Sequence, residues 1–112
     1  MTKLAVKPVE GSSFLITVGF KDMDGTPFVP ITCAWTLTDG LGTVLNNREK
    51  VSASVTAPLH RFILSGADLK FADGKTKGNR VFTIEGTFDS VYGEDLPYRE
   101  QIGFSILDTV VD

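Results

Sequence analysis

The sequence is poor in cysteine, histidine and tryptophan, with one of each, and each scarcity restricts what the protein can be. With Cys33 alone, no disulfide can form within the chain, which excludes a disulfide-stapled secreted domain. With His60 alone, a zinc site is not expected, because such a site normally needs three or four histidine or cysteine ligands. Nothing near Cys33 would stabilise a thiolate, so we expect a small buried thiol beside Trp35.

Excess positive charge and long apolar runs are also absent. The chain has 11 lysines and arginines against 14 acidic residues, so its formal net charge is −3. This balance gives no general attraction to nucleic-acid phosphates or anionic lipid. No apolar run approaches the length of a membrane span, and residues 1–8 lack the apolar core of a signal peptide. We therefore expect no nucleic-acid or membrane partner, and synthesis in a cytoplasm.

The chain does have enough apolar residues to build a core. Of its 112 residues, 42% are hydrophobic and 22% are charged, and eight phenylalanines supply much of the bulk. A chain of this length buries roughly two thirds of the surface that its unfolded form exposes. No linker, repeat or low-complexity segment divides it, so we expect one domain over residues 1–112.

One stretch, Ile31–Gly40, organises the predicted fold. Its apolar residues alternate with threonines and an alanine, which is the period of a β-strand with one buried face. This alternation predicts that Ile31, Cys33, Trp35 and Leu37 point inward. Because tryptophan needs apolar cover on several sides, we expect two sheets to close around Trp35.

Similar alternation predicts short strands along the rest of the chain. They are an edge strand at Leu4 and Val6, then residues 13–20, 43–46, 51–56, 59–64, 80–88 and 102–106. Residues 67–71 are predicted to form a single helical turn, and residues 89–97 a loop. Gly86 takes an inward position between Ile84 and Phe88, where it would leave room for Trp35. Seven to eight short strands with regular turns predict an all-β, immunoglobulin-like (Ig-like) two-sheet sandwich, with a small β-barrel as the alternative.

Two short motifs imitate ligand sites but lack essential parts. Residues 74–76 (Gly-Lys-Thr) end like a phosphate-binding loop, yet Leu69 stands where its first glycine belongs. Residues 22–25 (Asp-Met-Asp-Gly) open like a calcium loop, yet no glutamate stands at the closing position. Asp-Gly is common in turns between strands for backbone reasons. We therefore predict neither a cofactor nor a metal, with a weak surface calcium site left open.

No catalytic constellation is visible in the sequence. A serine hydrolase would need His60 to meet a serine and a carboxylate, and no serine lies on a Gly-x-Ser-x-Gly turn. The carboxylate pair of a glycoside hydrolase is defined by a spatial separation that the sequence does not give. We therefore predict that the protein is not an enzyme and has no catalytic residues.

In an Ig-type strand order, three loops meet at one end of the sandwich: residues 22–27, 56–58 and 89–97. Their acidic residues are Asp22, Asp24, Asp89, Glu94 and Asp95. The opposite end collects the basic residues Lys70, Lys75, Lys77 and Arg80, diluted by Glu10, Asp68 and Asp73. Such polarity would favour head-to-tail or heterologous contacts between subunits, whereas the simpler interpretation is solvated loop charge.

The loop at residues 89–98 also holds both tyrosines of the chain. Tyrosine offers a large contact area with few torsions to order, which suits a binding surface. The sequence therefore gives Tyr92, Glu94, Asp95 and Tyr98 as candidate partner contacts. Alternatively, Tyr98 begins the last strand and packs against the sheet.

Three segments carry a resemblance to a known group of proteins. They are WTLTDGLGTVLN at residues 35–46, LSGADL at 64–69 and FTIEGTFDS at 82–90. Together with the phenylalanine-rich second strand, they resemble small Ig-like proteins encoded among tailed-phage and prophage virion genes, over nearly the whole chain. Antibody-type domains match less well, because the paired cysteines are absent.

This resemblance implies a non-enzymatic structural or interaction role in a phage particle. The protein would pack against head, connector or tail subunits or against itself, after synthesis in the host cytoplasm. A second hypothesis, from the residues alone, is a module that binds a small ligand or carbohydrate through Tyr92, Tyr98 and the acidic loops, with or without calcium.

Overall fold

The computed structural model describes residues 2–4, 7–70 and 78–106, and most of them lie in β-strands. The seven strands are β1 (Thr2–Lys3), β2 (Ser13–Gly19), β3 (Thr32–Asp39), β4 (Val51–Ser52), β5 (Leu59–Ser65), β6 (Gly78–Ser90) and β7 (Gly93–Ile106). The larger sheet has the order β1-β7-β6-β3-β4, and β2 pairs with β5 in the smaller sheet. All pairings are antiparallel except that of β1 with β7. The predicted all-β two-sheet sandwich is confirmed.

The division of strands between the sheets is the one found in Ig-like sandwiches. In that fold, the second and fifth strands lie in one sheet and the third, sixth and seventh in the other. Here β2 and β5 form the first group, and β3, β6 and β7 form the second, with β4 extending it. A 3₁₀ turn, Gly66–Leu69, follows β5 and corresponds to the predicted helical turn.

The hydrophobic core lies between the two sheets and follows the alternation of the sequence. From β2 and β5 it receives Ile16, Val18, Phe62 and Leu64, all of which are buried. The larger sheet contributes the buried side chains of Cys33, Trp35, Leu37, Phe82, Ile84, Ile102, Phe104 and Ile106. Burying a side chain of this size stabilises the fold by about 1.5–3 kcal/mol, so the inward positions account for most of the driving force.

Phe82 connects Trp35 to the opposite sheet. The Trp35 and Phe82 ring centroids are 5.2 Å apart, and the Phe82 and Phe62 centroids are also 5.2 Å apart. Trp35 is buried as predicted, but the contact between sheets at this level passes through Phe82 on β6. The sheets therefore close around three rings, those of Trp35, Phe82 and Phe62.

The predicted inward face of the third strand is correct at three of its four positions. Cys33, Trp35 and Leu37 are buried, whereas Ile31 is 53% exposed. The strand begins only at Thr32, because the chain bends at Ile31 directly after the buried Pro30. Ile31 therefore lies outside the alternation that it seemed to begin.

Gly86 has a different role from the predicted one. A Cβ atom at this position would lie 2.2 Å from the carbonyl oxygen of Thr32. Gly86 pairs with Cys33 in the register of β6 and β3. The missing side chain therefore lets the backbones of two strands approach closely and does not make room for Trp35.

The predicted strand at residues 43–46 is wrong. Only one isolated bridge forms there, between Thr38 and Val44. Asn46 and Asn47 have φ values of 51° and 55°, a left-handed conformation that ends strand geometry. The short edge strand β4 forms instead at Val51–Ser52, the start of the predicted 51–56 strand.

The predicted loop at residues 89–97 is mostly strand. β6 continues to Ser90 and β7 begins at Gly93, so the connection is a hairpin with Val91 and Tyr92 at its tip. Pro97 lies within β7 opposite Thr87, whose carbonyl accepts from the backbone N–H of Ile31 on the far side of β6. The backbone of Thr87 thus bonds toward β3, and Thr87 and Pro97 form a pair without hydrogen bonds to each other. The strand does not need the N–H that proline lacks at this position, so Pro97 fits.

The predicted N-terminal edge strand is confirmed in position. β1 lies at the edge of the larger sheet, and Leu4 N–H donates to the Gly103 carbonyl over 2.9 Å. Val6 and residues 74–76 lie outside the described residues. Within the described part, no helix is long and apolar enough to cross a membrane.

Candidate functional site

One end of the sandwich carries the turn at residues 22–27, which connects β2 to the segment before β3. The Asp22 Oδ1 atom accepts backbone hydrogen bonds from Asp24 and Thr26 over 2.9 and 3.0 Å. Gly25 has a φ of 78°, which glycine adopts without strain. The Asp-Met-Asp-Gly motif is thus used to build the turn.

Tyr92 joins this turn to the β6–β7 hairpin. Its hydroxyl donates to Asp24 Oδ2 over 2.6 Å, and its backbone N–H donates to Ser90 Oγ over 3.0 Å. The hydrogen bond to Asp24 raises the pKa of the Tyr92 phenol, so the phenol remains a donor at neutral pH. The structure therefore brings together two of the loops that the sequence predicted at one end.

Large apolar side chains flank both partners of that hydrogen bond. Val91 is 92% exposed, and Met23 and Tyr92 are also largely exposed. We call the residues Met23, Asp24, Val91 and Tyr92 the loop-end surface. Phe20 N–H donates to the Pro58 carbonyl, which places the third predicted loop at this end as well.

The other predicted contact residues are divided between surface and interior. Glu94 and Asp95 are exposed on β7, and Asp95 N–H donates to Asp89 Oδ1 over 2.9 Å. Tyr98 is half-buried, with its ring centroid 5.4 Å from those of both Phe20 and Phe28. Burial, together with the hydrogen bond to Glu100, raises the Tyr98 pKa above its usual range. Tyr98 therefore packs against neighbouring aromatic rings, as the second of its two predictions had it.

The opposite end contains a buried polar cluster that sequence reasoning missed. Asp68, in the 3₁₀ turn, is 1% exposed. Its carboxylate accepts from Asn46 Nδ2 over 2.7 Å, from Arg48 Nε over 2.8 Å and from Ser65 N–H over 3.1 Å. Burial alone would raise the Asp68 pKa, but these hydrogen bonds outweigh it and lower the pKa. The local signal was the Ser65-x-x-Asp68 spacing of a capping box.

Arg80 belongs to this buried region and not to a basic surface, which corrects the prediction. It is 6% exposed, and its guanidinium donates to the backbone carbonyls of Lys70 and Asp68 over 2.6 and 3.4 Å. Desolvation lowers the Arg80 pKa. Lys70 is exposed at this end, whereas Lys75 and Lys77 lie outside the described residues. Arg80 is therefore not one of the exposed basic residues at this end.

Arg48 ties the buried cluster to the core. Its guanidinium carbon lies 5.6 Å from the centroid of the Trp35 ring, within the range of a cation–π contact. Asn46 ends the segment that was predicted as a strand, and Arg48 follows that segment. The left-handed turn at Asn46 and Asn47 directs the side chains of Asn46 and Arg48 toward Asp68, so this end has a structural function.

The outer face of the larger sheet forms an open groove of about 540 Å³. Hydroxyl, charged and apolar side chains all contribute to its lining, and Glu85 stands opposite Arg99 in the register of β6 and β7. The hydroxyls of Thr32 and Thr87 are 3.0 Å apart across β3 and β6. This face is open and offers hydrogen-bonding groups among apolar ones.

The single cysteine is buried, and the single histidine is partly buried. Burial raises the pKa of the Cys33 thiol, which disfavours the reactive thiolate. The His60 ring packs edge-on against Phe62, with centroids 4.7 Å apart. Among the residues that the structure describes, no three histidine, cysteine or acidic side chains are grouped to hold a metal ion.

In comparisons with known proteins, no family model, curated protein or solved structure matches the chain. What supports a function is therefore the pattern of the sequence and the geometry of its surfaces. Of these surfaces, the loop-end surface combines exposed apolar groups with a fixed backbone.

Proposed function

We propose that the chain is a non-enzymatic structural or protein-interaction module of a phage or prophage particle, and that it contacts partner subunits through its loop-end surface. The observation that carries the proposal is the hydrogen bond from Tyr92 to Asp24, which holds two loops together beneath exposed apolar side chains. The resemblance of residues 35–46, 64–69 and 82–90 to virion Ig-like proteins supplies the setting. Synthesis in the host cytoplasm precedes incorporation.

The chemistry of this surface fits a protein partner. Val91 and Met23 offer apolar area, and Tyr92 adds a large side chain whose hydroxyl is already ordered. Preordered contacts lose less conformational entropy on binding, which favours affinity. The carboxylates nearby would select a partner surface with an apolar pocket and a basic rim.

Incorporation into particles tests the proposal. Val91→Asp places a charge at the most exposed point of the loop-end surface, and we expect incorporation to fall at least about tenfold. Particles are purified from cells that produce the variant, and the chain is quantified against a major structural subunit by mass spectrometry. Thermal unfolding should be unchanged, because the side chain makes no core contact.

Leu41→Asp is the matched control. Leu41 is 94% exposed in the turn after β3, at the opposite end of the sandwich from Val91. This variant should be incorporated normally. Equal incorporation of the two variants, or absence of the unmodified chain from particles, would contradict the proposal.

A second candidate function is binding of a small ligand or carbohydrate. The groove on the larger sheet favours it, because its threonine hydroxyls and the Glu85–Arg99 pair offer donors and acceptors to a polar ligand. Titration with a panel of oligosaccharides, with and without calcium, would show saturable amide shifts confined to β3, β6 and β7. Shifts at Tyr92 alone would point back to the loop-end surface.

A further inference from the structure

Among the described residues, the smaller sheet consists of β2 and β5, so no described strand pairs with the edge of β2 that faces away from β5. Phe20 N–H donates to the Pro58 carbonyl, and the Ser12 carbonyl accepts from Gly66 N–H. Even-numbered residues thus point their backbone groups toward β5. By alternation, the backbone groups of the odd-numbered residues point away from β5. These residues are Ser13, Leu15, Thr17 and Gly19. No described residue forms a backbone hydrogen bond with the N–H and carbonyl groups of these four residues.

The other long edges carry features that resist pairing with a foreign strand. On β5, the side chain of Arg61 carries a charge, and the Ser65 N–H already donates a hydrogen bond to Asp68 Oδ2. The edge of β7 beyond β1 contains Pro97 and several charged residues. Charges and proline are the usual guards of exposed strands.

The β2 strand has no such guard. Its sequence, SFLITVG, contains no charge and no proline over seven residues. The side chains at its edge positions are exposed, and Leu15 lies opposite the exposed Ile63 on the outer face. An uncharged, partly apolar edge of this length is a template for strand addition.

We propose that a second copy of this chain occupies the edge, with the two β2 strands antiparallel about a two-fold axis at Ile16. In this register Ser13 lies opposite Gly19 of the second copy, and Leu15 opposite Thr17. The four unpaired positions of each strand are satisfied, with about eight new backbone hydrogen bonds. The product is a continuous four-stranded sheet.

Charge and symmetry favour a second copy over an unrelated strand. Because β2 is uncharged, self-pairing brings no like charges together, and the two Leu15 side chains extend one apolar face. A two-fold contact uses the same edge on both subunits and closes, while the guarded edge of β5 prevents further growth. The inference does not depend on the loop-end surface or on a virion setting.

Sedimentation of the full chain over a concentration series tests the proposal. We expect a monomer–dimer equilibrium that Thr17→Glu shifts toward monomer, with a dissociation constant raised at least about tenfold. Glu at position 17 lies beside Arg61 of its own chain, so the fold should be retained. Ile63→Glu, on the same outer face but away from the edge, is the matched control and should dimerise normally.

Amide exchange by NMR reports the register directly. In the dimer, the N–H groups of Leu15 and Thr17 should become protected as concentration rises, whereas those of Ile16 and Val18 are protected at every concentration. A monomer up to millimolar concentration, a dimer insensitive to Thr17→Glu, or rapid exchange at Leu15 and Thr17 in the dimer would each overturn the proposal.

Discussion

The side chain of Asp68 shows how one residue connects separate parts of this chain. It fixes the 3₁₀ turn after β5 through Ser65, and it holds the left-handed segment before β4 through Asn46 and Arg48. Arg48 in turn covers Trp35. A carboxylate that is both buried and hydrogen-bonded costs more to remove than a surface charge, because its partners lose their acceptor.

Asp68→Asn should destabilise the fold by about 2 kcal/mol at neutral pH. The effect is moderate for a buried pair because Arg48 is partly exposed and regains water. Chemical denaturation followed by tryptophan fluorescence measures it. Glu49→Gln, the same kind of change at an exposed neighbour, should alter stability by less than about 0.5 kcal/mol.

The same variant predicts a pH dependence. Since the Asp68 pKa is lowered in the folded protein, its contribution is present above the unfolded value of about 3.9 and is lost as the pH falls through the folded value. The difference in stability between wild type and Asp68→Asn should therefore shrink below about pH 4. A difference that is constant across this range would show that folding does not lower the Asp68 pKa.

Sequence reasoning could not find this cluster for a physical reason. The Ser65–Asp68 spacing is local and visible, but the partner Arg48 is 20 residues away. A buried charge is identifiable only with its partner, and that partner reaches it through positive φ values at Asn46 and Asn47. Arg80 was wrongly predicted to lie on a basic surface. Its partners are backbone carbonyls of Lys70 and Asp68, and the sequence does not show that they lie close to its guanidinium.

At the scale of strands, alternation predicted the buried faces well. The inward residues of β2, β3, β5 and β6 follow the period of two, because each strand has one face on the core. The hairpin at Val91 and Tyr92 was missed, since its charged residues and Pro97 have the composition of a loop. They are tolerated because that part of β7 forms an open edge of the sheet.

The close approach of β3 and β6 at Gly86 gives a test of the sheet. Gly86→Ala should destabilise the protein by about 3 kcal/mol, because the new Cβ atom would collide with the Thr32 carbonyl and the strands would have to separate. Gly19→Ala is the matched control in β2, where the nearest atom would be an ordinary 3.9 Å away. Urea denaturation of both variants measures the difference, and equal stabilities would contradict the tight approach.

For the molecule as a whole, the two ends of the sandwich have different roles. The end with Asp68, Arg48 and Arg80 directs its charges into buried hydrogen bonds, so it stabilises the fold. The end with Met23, Val91 and Tyr92 leaves apolar side chains in solvent above a fixed turn. Fold class was accessible from the sequence, because it depends on alternation; the surfaces were not, because they depend on which loops meet.

The most direct test of the proposed role is site-specific photocrosslinking in assembled particles. A photoreactive residue at position 91 should crosslink to one structural subunit of the particle, whereas the same residue at position 41 should not crosslink to that subunit. The product is identified by mass spectrometry of purified particles. A crosslink of this kind at position 91 is the result that we predict. Equal crosslinking at both positions, or none at position 91 in particles that contain the chain, would contradict the account.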